Sequence, residues 1–164
     1  MFKDVRIVDP VAGAVVPSRS IVVEDGRIVR VGDARDGSPE TSDTTIIDGH
    51  GRYLSPGLTD THVHSSSAAS WLLDLSNGIT GVRDMAGFPW MLKARENVSA
   101  GRMLAPSLAV AGPLINAFPV EGYAVVIMSP LEARRTVRQQ AACGYDFIKV
   151  CNVLSLPVFD AVAE

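Results

Sequence analysis

The chain is 164 residues long, 47% hydrophobic and 20% charged, with a net charge of -3. That is room for one ordinary domain, or for a small domain and part of another, and the apolar content argues against disorder. There is no basic cluster to meet nucleic acid or an anionic membrane surface. The longest apolar stretch, Tyr123 to Met128, is too short to span a bilayer, and the charged N-terminus lacks the apolar centre of a signal peptide. Two cysteines, Cys143 and Cys151, give no disulfide framework and suit a reducing compartment, so a cytoplasmic location is expected.

Residues 1–55 read as β. Phe2 to Val8 alternates apolar and polar residues as a half-buried strand does. Ser20–Glu24 and Arg27–Val31 flank Asp25-Gly26, a two-residue hairpin signal. Residues 34–44 are rich in Asp, Gly, Ser and Thr and are expected to form a loop. Thr45–Asp48 reads as a further strand, followed by a turn around Gly49-His50-Gly51, which makes His50 a poor ligand candidate. From Pro56 onward, short apolar strands alternate with helical stretches, the signature of βα units. Strands are expected at 57–62, 79–83, 107–111 and 146–151, and helices at 68–76, 89–99 and 130–142. Residues 112–129, with Pro113, Pro119 and Gly122, read as an irregular loop. Ser129-Pro130-Leu131-Glu132 is a helix opening with an N-cap serine, a first-turn proline and a capping-box glutamate. A last helix opens at Ser155-Leu156-Pro157.

The chemistry concentrates in Ser55-Pro56-Gly57-Leu58-Thr59-Asp60-Thr61-His62-Val63-His64. Side chains alternate across a strand, so His62 and His64 share one face while Val63 takes the other. Two imidazoles so placed form half a site for a divalent metal such as zinc. Asp60 lies on the same face, one layer deeper, as a carboxylate able to orient a ligand histidine. Lys149 shares a face with Phe147 and Cys151, with Ile148 and Val150 on the other. Arg83 and Asp84 close the second strand of the α/β part; an intrachain ion pair is the expectation there, against a role in meeting substrate or in supporting a metal ligand, for which Asp84 is a candidate. Cys151 reads as packing, because no histidine in sequence would make it a nucleophile.

Leu54 to His64, Ile79-Thr80-Gly81-Val82-Arg83-Asp84-Met85 and Asp146-Phe147-Ile148-Lys149-Val150 together resemble the metal-dependent amidohydrolase superfamily, in particular its imidazolonepropionase-like and Xaa-Pro-dipeptidase-like branch. The resemblance implies an α/β fold: about four βα units from the N-terminal half of a (β/α)8 barrel (56–164), preceded by part of a small β-sandwich (1–55). It implies His62, His64 and Lys149 as metal ligands, Lys149 being carboxylated by carbon dioxide in many members. It also implies one or two divalent ions, zinc foremost, that generate hydroxide to attack an amide or cyclic C–N bond of a small molecule or dipeptide. Two further histidines and the general-base aspartate of such enzymes have no counterpart here, since the only other histidine is His50. The expectation is therefore of a truncated chain, inactive alone, with open strand edges that favour self-association. The competing expectation is an inactive half-barrel or interaction module with at most one weak metal site.

Overall fold

A computed structural model describes residues 1–33, 43–65, 67–120 and 122–164. The expected loop over 34–44 lies mostly outside the described residues. The chain divides into two compact units, Met1–Pro56 and Gly57–Glu164.

The first unit is one four-stranded sheet of β1 (Phe2–Asp9), β2 (Ala14–Glu24), β3 (Arg27–Asp33) and β4 (Ile47–Leu54), in the order β3-β2-β1-β4. β2 pairs antiparallel with both β1 and β3, whereas β4 lies parallel to β1. Asp25 and Gly26 both take positive φ, 48° and 74°, as a type I′ hairpin turn demands. The strand expected to start at Ser20 begins at Ala14, because its first half is held by pairing with β1 rather than by its own pattern. Gly49-His50-Gly51 is not a turn after a strand but a bulge inside β4. Lys3 faces Asp48 and Val5 faces Arg52, so two extra residues are absorbed there, with φ of 48° at His50 and 71° at Gly51. His50 is exposed, its amide donating to Asp48 Oδ1 at 2.8 Å.

In the second unit β5 (Leu58–Val63), α1 (Ala68–Ser76), β6 (Ile79–Asp84), α2 (Pro89–Ser99) and β7 (Ser107–Val110) follow the expected order. They give a parallel sheet β5-β6-β7. Trp71 of α1, Met91 and Ala94 of α2, and Val82, Leu108 and Val110 of the strands form its buried core, with Val63 packed against them. Gly78, at φ 80°, ends α1 in the left-handed conformation that the Asn77-Gly78 pair predicts.

The stretch 112–129, expected to be irregular, holds two short parallel strands, β8 (Leu114–Asn116) and β9 (Ala124–Val126). Conversely, 146–151 is not a continuous strand. It meets 111–115 only at Ala111↔Phe147 and Ile115↔Val150, four residues apart on one side and three on the other. The extra residue falls at Gly112-Pro113, where proline supplies no amide to the ladder. The segment is nonetheless held: Ile115 N–H donates to Lys149 O at 2.9 Å and Cys151 N–H to Ile115 O at 3.0 Å.

Helix α3 (Pro130–Cys143) opens on a complete capping box. Glu132 N–H donates to Ser129 Oγ at 3.3 Å, and Ser129 N–H donates to Glu132 Oε2 at 3.1 Å. It closes at Gly144, φ 88°. With α4 (Leu156–Ala163) it covers a second buried cluster of Ile115, Ile127, Ala133, Val158 and Ala161, into which Ile148 and Val150 pack.

Candidate functional site

β5 delivers His62 at its end and His64 just beyond it. Val63 between them is drawn into the core, so both imidazoles are left exposed on the opposite face. Their ring centroids lie 5.4 Å apart with the planes tilted by 42°. The chemistry of the pair suits one metal. Two imidazoles bound to a single zinc through nitrogens at about 2.0–2.1 Å would place their centroids about 5 Å apart. Among the described residues no group of three or more His, Cys, Asp or Glu side chains is gathered, so the histidines stand as a pair.

The segment carrying them is held by carboxylates acting on its backbone. Asp60 Oδ1 accepts the His62 amide at 3.0 Å. Asp84, 1% exposed at the end of β6, accepts Ser65 N–H through Oδ2 at 2.7 Å and Ala86 N–H through Oδ1 at 3.1 Å. Trp71 Nε1–H donates to Ser65 Oγ at 2.9 Å, and Met85 N–H donates to Val63 O at 2.9 Å. Four bonds therefore fix the turn out of the histidine strand. Both acidic residues singled out in the sequence grip main chain rather than an imidazole.

The expected intrachain ion pair forms at neither Arg83 nor Asp84 among the described residues. Consecutive residues of a strand face opposite ways, and Asp84 turns into the core while Arg83 stays exposed. The Arg83 guanidinium carbon instead lies over the Phe147 ring, 4.7 Å from its centroid. Because Ile148 and Val150 enter the cluster beneath α3 and α4, alternation leaves Phe147 and Lys149 to the other face, and Lys149 is half-buried. Cys151 Sγ lies 3.5 Å from Asn152 Oδ1 and has no histidine against it.

Three features were not visible in the sequence. Tyr123, from the stretch that looked irregular, sets its ring edge-on to His64 at 6.2 Å and against Phe88 at 5.6 Å, extending the imidazole pair into an aromatic row. Asn116 at the end of β8 is 0% exposed, and neither its Nδ2 nor its Oδ1 has a partner among the described residues. Asp146 pins the start of its segment by accepting Val110 N–H at 2.8 Å and pairing with Arg95. An aromatic residue among prolines and glycines was the one available signal for Tyr123. A buried Asn and a loop Asp carry none.

No family model matches the chain. Sequence relatives do. An adenine deaminase of Chelativorans is 32% identical over 123 residues, 65% of this chain and 20% of that protein. An enamidase of Eubacterium barkeri is 46% identical over 52 residues, 32% of this chain and 13% of that protein. A prolidase-type structure from Bifidobacterium longum superposes with a TM-score of 0.86 at 26% identity, covering 98% of this chain and 45% of that one. These likenesses support the amidohydrolase superfamily as its family. The chain spans less than half the length of each of these three relatives. None of its helices among the described residues is long and apolar enough to cross a membrane.

Proposed function

We propose that this chain carries the histidine-pair portion of a metal-dependent hydrolase that cleaves an amide or cyclic C–N bond of a small molecule or dipeptide. The observation that supports the reading is the pair itself: two exposed imidazoles 5.4 Å apart, on one face of a strand whose exit is fixed by Asp84. In this reading His62 and His64 hold the metal through neutral ring nitrogens. Lys149 joins them in carboxylated form from the face it shares with Phe147. A divalent ion held by these residues would supply Lewis-acid chemistry for the hydrolysis. The chain's own residues contribute position: Asp60 and Asp84 hold the backbone on either side of the imidazoles.

Zinc titration against a chromophoric chelator tests it. The wild-type chain is expected to take up zinc with a stoichiometry that falls to background in His62→Ala and in His64→Ala. Uptake that survives loss of both imidazoles would remove the reading.

A further inference from the structure

Neither imidazole of the histidine pair is oriented by a hydrogen bond among the described residues. The carboxylates on either side, Asp60 and Asp84, are committed to main-chain amides. A histidine that holds a metal is ordinarily set by a partner on its second ring nitrogen. His64 has a ring contact in that place. The centroid of Tyr123 lies 6.2 Å from that of His64, and the two planes stand 80° apart. Near-perpendicular aromatic rings at that spacing attract, the positive edge of one meeting the negative face of the other. His62 has His64 alone as a ring neighbour among the described residues.

Tyr123 is itself fixed. Its carbonyl accepts Leu114 N–H at 2.9 Å and its amide donates to Val120 O at 3.0 Å, which ties its main chain to β8 and to its own turn. Its ring rests against Phe88 at 5.6 Å, and Phe88 packs against the buried core of the parallel sheet. A line of contact therefore runs from that core through Phe88 and Tyr123 to His64, and through His64 to His62. We infer that Tyr123 is a positioning residue for the histidine pair, its ring holding the His64 imidazole in one orientation. An imidazole already restricted gives up less rotamer freedom when it takes a metal. The consequence for metal rests on the histidine-pair reading above, but the ring contact is a property of the metal-free chain. The β8–β9 pairing then has a use beyond packing, since it presents Tyr123 to His64.

Two measurements on the full chain test it. In the metal-free protein, nuclear Overhauser spectroscopy is expected to show cross-peaks between the ring protons of Tyr123 and His64. Zinc titration is expected to give Tyr123→Leu, which keeps apolar bulk without a ring, an affinity about tenfold below wild type at unchanged stoichiometry. Tyr123→Phe keeps the ring and drops the hydroxyl, and should stay within about twofold of wild type. The absence of cross-peaks in the wild type would overturn the inference. So would wild-type affinity in Tyr123→Leu, or a loss in Tyr123→Phe as large as that in Tyr123→Leu, which would give the role to the hydroxyl. If the wild type takes up no zinc, the histidine-pair reading fails by itself. The metal-free spectra then decide the positioning: a single His64 ring orientation in wild type and Tyr123→Phe that averages in Tyr123→Leu upholds it, and an unchanged His64 ring in Tyr123→Leu overturns it.

Discussion

The carboxylate of Asp84 accepts the amide of Ser65 at 2.7 Å, tying the end of β6 to the first residue after His64. Two neighbouring strands of a parallel sheet are thus joined at their C-terminal ends by a buried charged acceptor, where folds of this type place their chemistry. The bond is worth more than a surface contact. A carboxylate without solvent must be satisfied by its donors, and removing it leaves two buried amides unpaired.

Replacing Asp84 should therefore separate stability from metal affinity. Asp84→Ala is expected to lower the unfolding free energy by roughly 2–5 kcal/mol, from two orphaned amides and lost packing. Asp84→Asn keeps the shape but turns one acceptor into a donor facing an amide. It should retain the fold at reduced stability and weaken zinc binding by about tenfold or more, as loss of groups that orient ligands does. Denaturant melts and zinc titration on the two variants are the measurements. Unchanged zinc affinity in a folded Asp84→Asn protein would show that the Ser65 bond does not set His64.

The placement of the two histidines was legible because β periodicity is a local property. Reading His62 and His64 onto one face required only alternation, and Val63 entering the core settles which face. The capping box at Ser129 and Glu132 and the stop at Gly144 were equally readable, since both depend on residues within one turn of the helix end. What failed was non-local. β8 and β9 lie in a stretch whose composition looks like a loop, and each is a strand because of the other. Residues 146–151 have a strand's pattern, but the Gly112-Pro113 offset in their partner interrupts the ladder. An ion pair expected at Arg83 and Asp84 fails for a related reason: alternation along the strand buries Asp84 against backbone amides and turns Arg83 to the other face.

The capping box gives a pH dependence with a definite sign. Hydrogen bonds from the Met128 amide, and then from Ser129, hold the Glu132 carboxyl below its usual 4.5. A depressed carboxyl contributes stability that is present above the ordinary carboxylate range and is lost as the pH falls through the lowered value. Wild type should exceed Glu132→Gln in stability near neutral pH, and the gap should close as the solution is acidified below 4.5. Paired urea melts across that window check it. A gap that stays constant would mean the glutamate is not ionised in its bonded form.

Gly87 marks the closest approach of the turn after β6 to the end of β7. A Cβ placed there would overlap the carbonyl oxygen of Ala111 and the Val110 side chain. Main chain cannot swing aside as a flexible side chain can, and Val110 belongs to the buried core. Gly87→Ala is expected to cost about 3 kcal/mol or more, at the upper end of overpacking effects. By contrast, Gly101→Ala has open space around its Cβ and bears only the strain of φ at 68°, about 1 kcal/mol. Thermal melts of the two variants should rank them in that order.

Asn116 supplies the prediction in which stability should rise. Its side chain is enclosed at 0% exposure, and its amide nitrogen and oxygen both lack partners among the described residues. A buried amide left unsatisfied costs roughly 1–3 kcal/mol for each group, whereas an apolar side chain of similar volume avoids that penalty. Asn116→Leu should therefore raise the unfolding midpoint by a few degrees. A 150–250-residue protein gains roughly 2–4 °C for each kcal/mol. Asn116→Asp, which puts a charge in the same enclosure, should lower it steeply. The neighbouring main chain offers an internal control: Asn116 O accepts Ile127 N–H at 2.9 Å whatever the side chain, so β8 keeps its place in both variants. If Asn116→Leu instead lowers the midpoint, the carboxamide is satisfied in solution, by water or by a bound group, and the enclosure around it is polar rather than dry.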